Sequence, residues 1–132
     1  MTDLHDWFRD RATAPSLTFD GAIEVMATHD RHFGPRWEHA EITVVITSAP
    51  EFAVALSDDL PSDAEQQGYA RAVALGFLDV VMVHSPRPIR DVRLDIRRLV
   101  VDPVDSSAMA FRKAGQLAAE QLIAKLKQRP VA

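Results

Sequence analysis

The 132-residue chain contains no cysteine, which excludes disulfide staples and thiolate metal sites. Its five glycines are scattered singly, and none opens a run ending in Gly-Lys-Ser or Gly-Lys-Thr. A loop that cradles a triphosphate is therefore missing, and neither GTP hydrolysis nor any cofactor is expected. No apolar run is long enough to span a membrane, and the first twenty residues carry Asp3, His5, Asp6, Arg9, Asp10 and Arg11 where a leader would be apolar. The expectation is a cytoplasmic protein with no membrane partner. Positive charge is also short: 15 Lys and Arg stand against 19 Asp and Glu. Any contact with nucleic acid has to come from a local patch.

The length fits one domain able to bury a core without staples. Residues 1–17 read as an N-terminal arm or a short helix, closed off by Ala14-Pro15-Ser16, because proline disfavours a helical residue before it. The domain proper is placed at 18–132. Phe19, Gly21, Ile23 and Val25 alternate with Asp20, Ala22, Glu24 and Met26, and Ile42, Val44 and Ile46 have Glu41, Thr43 and Thr47 facing the other way; each set predicts a half-buried strand. Between them, Thr28 to His39 reads as a long hairpin loop, and long loops in compact domains are usually functional. Glu51 to Leu56 predicts a third strand. Ser62 with Glu65 forms a capping box for a helix whose apolar row is Tyr69, Val73, Phe77 and Val81.

Val92, Leu94 and Ile96 predict a fourth strand, with Asp91, Arg93, Asp95 and Arg97 on its solvent face. The alternation fails after Arg97, so Arg98 to Pro103 reads as a loop. A last helix follows, capped by Asp105 or Ser106, with Lys125, Lys127 and Arg129 near the negative end of its dipole. Three of its apolar positions Ala108, Phe111, Gly115, Ala118 and Leu122 are small, which predicts a helix lying close to a sheet, with Met109 and Phe111 in the core. The fold class is α+β in the order β-β-β-α-β-α, two helices packed on one face of a mostly antiparallel four-stranded sheet.

The run Val104-Asp105-Ser106-Ser107, followed by Met109-Ala110-Phe111, the basic Arg112 and Ala114-Gly115, resembles domain IV of the translation elongation factors G and 2. Asp91-Val92-Arg93-Leu94 stands where that family has Asp-Ile-Lys-Val. The likeness is one of residues from Pro88 to Ala119 and one of element order from Thr18 to Val81. It implies the fold of the second domain of ribosomal protein S5 and a non-catalytic wedge whose two tip loops contact RNA on the small ribosomal subunit. Those tips correspond to 29–39 and 97–102. Asp102 falls where the bacterial family has a histidine, and a carboxylate there repels phosphate.

Arg31, His32, Phe33, Arg36 and Trp37 in the first segment, with Arg97, Arg98 and Asp102 in the second, are the candidate RNA- or partner-binding residues. Guanidinium groups meet phosphates and aromatic rings stack on exposed bases. The partner implied is a ribosome or structured RNA. The alternative is a self-associating or protein-interaction module that has lost the translational role, as a homo-oligomer. A third reading, a small metal-dependent enzyme, rests on His29, His32 and His39 with Asp30 and Glu38, a spacing that matches no established ligand pattern. Ser106 and Ser107 at a helix start are better placed to cap than to attack a substrate, and no catalytic residue is expected.

Overall fold

The computed structural model describes residues 2–13, 17, 19–33, 36–57, 60, 64–84, 88–101 and 106–128. In chain order these form α1 (Thr2–Thr13), β1 (Ile23–Phe33), β2 (Arg36–Ser48), β3 (Ala53–Leu56), α2 (Ala64–Val81), β4 (Val92–Val100) and α3 (Ala108–Gln128). The four strands make one mixed sheet in the order β1-β2-β4-β3. β1 with β2 and β2 with β4 are antiparallel, whereas β3 runs parallel to β4. A parallel neighbour needs a long crossover, and α2 supplies it.

Alternation decides which face of the sheet is covered. Ile23, Val25 and Ala27 of β1, Ala40, Ile42, Val44 and Ile46 of β2, and Val92, Leu94 and Ile96 of β4 are all buried. They share one face because a strand reverses its side chains at every residue. α2 and α3 close over that face with Val73, Phe77, Val81, Phe111, Ala114, Ala118 and Leu122. The Tyr69 ring stacks on Phe111 at 4.6 Å between centroids.

The small residues of α3 serve a different purpose from the one expected. A Cβ built on Gly115 would lie 2.9 Å from the carbonyl carbon of Val73, and one on Gly76 would lie 2.8 Å from that of Arg112, with the carbonyl oxygens nearer still. The two glycines thus let the backbones of α2 and α3 touch each other. Close approach is between the helices and not only of α3 to the sheet. Ala108 and Met109, expected in the core, are exposed, and α3 begins its buried face at Ala110.

Several boundaries also move. The expected twelve-residue hairpin loop is almost wholly strand, for β1 and β2 stay paired from Ile23↔Ile46 to Phe33↔Arg36. The alternation runs on through polar residues, with His29 and Glu38 occupying buried positions that apolar side chains hold farther along. β4 likewise continues to Val100. Its pattern breaks because Thr43 pairs with Arg98 and Val44 with Ile96, leaving Arg97 as the extra residue of a β-bulge. The bulge resets the phase, so Leu99 returns to the helix side opposite Ile42.

Ser107 caps α3, its Oγ accepting the Ala110 amide at 3.1 Å, while Ser106 donates to the His39 carbonyl at 2.7 Å and ties the helix start to β2. β1 starts at Ile23, later than the alternation from Phe19 suggested; Gly21, at φ +81°, turns the chain first. Ser48 then anchors Phe19 through both its amide and its carbonyl. β3 starts at Ala53, so Glu51 and Phe52 precede it. The Ser62 cap, Asp105 and Arg129 lie outside the described residues. α1 is a helix whose side chains from Asp3 to Asp10 are all exposed.

Candidate functional site

The β1–β2 hairpin and the end of β4 project candidate residues to both faces of the sheet. On the helix side, His29 Nε2 lies 3.1 Å from Glu38 Oε1, and Lys113 of α3 donates to the same oxygen at 3.2 Å. His29 and Glu38 are buried. A carboxylate in that position is tolerable only with donors around it. The hydrogen bond from His29, followed by the bond and charge of Lys113, holds the Glu38 carboxyl below its ordinary range despite its burial. Arg31, cross-strand from Glu38, shares this face and is exposed.

On the uncovered face, the Trp37 indole N–H donates to Asp30, and His39 Nδ1 lies 3.8 Å from the same carboxylate oxygen. Trp37 is thus engaged by an acid while 42% of its surface remains exposed. Arg97 and Arg98 project here too. Arg97 follows inward Ile96, and Arg98 pairs with outward Thr43, so the bulge places two consecutive arginines on one face, both exposed. Neither makes an ion pair with a described residue, whereas nearby Arg93 is held by Asp95 at 3.1 Å.

The arrangement departs from a basic cluster at one tip. Arg31 lies on the opposite face from Trp37, Arg97 and Arg98. Trp37 and the Arg98 row at Thr43 are six residues apart along β2, about 20 Å at strand rise. The side chains of His32, Phe33 and Arg36, and the whole of Asp102, lie outside what is described. His29 and His39 face opposite sides of the sheet, so they cannot share one ion, and the described residues contain no group of three metal-ligating side chains. The hydroxyls of Ser106 and Ser107 are both committed to backbone partners.

The His29–Glu38–Lys113 cluster was missed in the sequence because the loop reading hid its register. Extending the alternation of Val25 and Ala27 by one more step would have put His29 inward. A second ion pair joins the helices: Arg112 donates to both oxygens of Asp79, at 2.7 and 2.9 Å, with Gln116 adding a third bond. The Arg112 hydrogen bonds keep the Asp79 carboxyl below its usual value.

No family model matches the chain, and no curated protein matches it in sequence. Its fold is nevertheless shared. A crystal structure of the Thermus thermophilus protein ttk003000868 superposes with a TM-score of 0.69 over 82% of this chain, at 18% sequence identity. The chain spans only 16% of the length of that protein. At that identity the likeness is one of fold. None of the described helices is long and apolar enough to cross a membrane.

Proposed function

We propose that the chain is a non-catalytic domain of the elongation factor G domain IV type, acting in the cytoplasm, that contacts RNA or a ribosomal surface through the uncovered face of its sheet. The carrying observation is the bulge at Arg97, which sets Arg97 and Arg98 side by side on the uncovered face without an ion pair to a described residue. Two adjacent guanidinium groups suit successive phosphates, and partly exposed Trp37 on the same face suits an unstacked base. The fold shared with a segment of a longer protein is compatible with the scaffold, and the Val104-to-Gly115 wording supports the family. Asp102 in place of the family's tip histidine argues for contact without ordinary translocase action.

The test is binding to small-subunit ribosomal RNA across a salt series. Replacing Arg97 and Arg98 together by Ala should weaken binding and lower the slope of log affinity against log salt by about 1–2, as for one or two lost phosphate contacts. Unchanged affinity and slope would remove the bulge from the reading.

A further inference from the structure

α1 presents an apolar stripe that the described residues leave largely exposed. Leu4, Trp7 and Phe8 are 55%, 46% and 67% exposed. Their spacing of three and four puts them on one side of the helix, as in helices that dock into grooves. Asp3, Asp6 and Asp10, three and four residues apart, form an acidic stripe along the Trp7 flank of that side.

The complement lies between α2 and α3. There a groove of about 280 Å³ is lined chiefly by Ala72, Leu75, Met109 and the arginines Arg71 and Arg112. Leu75 and Met109 are 39% and 55% exposed. Arg112 is held by Asp79, but Arg71 is exposed and makes no ion pair with a described residue. The groove is therefore apolar at its floor and carries Arg71 at its rim, opposite in charge to the Asp3–Asp6–Asp10 stripe, though α1 also holds Arg9 and Arg11.

We infer that α1 of one copy seats its Leu4–Trp7–Phe8 face in the α2–α3 groove of a second copy, with its aspartates toward Arg71, and that the exchange is reciprocal. The opposed charges favour this occupant over a basic or neutral peptide. The size is adequate as well. Trp7 and Phe8 still offer on the order of 250 Å² of aromatic surface per helix. Burying that twice, with Leu4 and matching groove surface, brings the total to on the order of 1,200 Å², where specific interfaces begin.

Sedimentation velocity of the whole chain from about 1 to about 200 µM tests the exchange. A monomer–dimer equilibrium should appear, and Phe8→Ser on α1 or Arg71→Glu in the groove should each weaken it about tenfold or more. Both positions are exposed, so both variants keep the core. Adding Asp6→Arg to Arg71→Glu should recover part of the lost affinity. A monomer throughout the range overturns the inference, whether or not α1 resists proteolysis by folding onto its own chain. A dimer that withstands Phe8→Ser or Arg71→Glu overturns it too, because α1 and this groove would not then form the contact.

Discussion

Replacing Gly115 by Ala tests the packing of α2 on α3 most directly. The added Cβ would stand 2.9 and 3.0 Å from the carbonyl carbon and Cα of Val73, and nearer to the carbonyl oxygen. The obstacle is helix backbone, which cannot rotate aside, so relief requires the two helices to separate by about 1 Å. A gap of that size forfeits a quarter to a half of the dispersion energy at each contact it opens. Those contacts hold Val73, Phe77, Phe111, Ala114 and Ala118. Overpacking of this kind costs about 1–3 kcal/mol and sometimes more, against which alanine's better helix propensity returns up to ~1 kcal/mol. Because the clash is backbone on backbone, a net loss of about 2–3 kcal/mol is expected at Gly115, and a similar loss at Gly76, whose Cβ would meet the Arg112 backbone.

Gly68 is the control. It lies in the same α2, but a Cβ there meets nothing within 4 Å. Gly68→Ala should therefore stabilise by about 0.5–1 kcal/mol. Urea unfolding followed by circular dichroism reads all three, and the Gly115 variant should also lose on the order of 10 °C in Tm. If Gly115→Ala is as stable as the parent, the helices are not in backbone contact and the reasoning fails.

Other expectations follow from the polar network. His29→Ala leaves buried Glu38 with one donor fewer and should cost about 2–3 kcal/mol by urea unfolding; a loss below about 0.5 kcal/mol would mean that water replaces the imidazole without penalty. The folded-state pKa of Glu38 and of Asp79 is depressed, so their contribution is fully present above the usual carboxylate range and is lost as pH falls through the depressed values. The urea midpoint should accordingly stay level, as far as these two groups govern it, from about pH 7 to about pH 5 and fall below about pH 4, less steeply in Asp79→Asn. A midpoint insensitive to acid would show that neither carboxylate is better held in the folded chain. Ser107→Ala removes the α3 cap and should cost about 1 kcal/mol, whereas an equal loss from Gly in its place would point to a role other than capping.

Much of the architecture was legible because it rests on local pattern. Val92, Leu94 and Ile96 alternate cleanly, and the four-residue row ending in Val81 reads as a helix from its period alone. The hairpin was legible only to Thr28, since from His29 onward the inward positions are polar and no longer carry a hydrophobic signal. The β4 bulge was hidden for a related reason. A single extra residue inverts the alternation, and in one dimension an inverted alternation looks like its end.

By itself the amino-acid sequence determined the fold class, the order of the elements from β1 onward and the inward faces of β1, β2 and β4 in their apolar stretches, because periodicity of side chains is a property of neighbours along the chain. Tertiary structure decided what depends on distant partners. His29 and Glu38 can be buried because Lys113, 75 residues beyond Glu38, reaches the same carboxylate. Arg97 and Arg98 share a face because β2 pairs around the extra residue. Gly76 and Gly115 are constrained by each other's helices. Each of these is a desolvation, a register or a steric overlap between elements, and such quantities exist only once the elements have met.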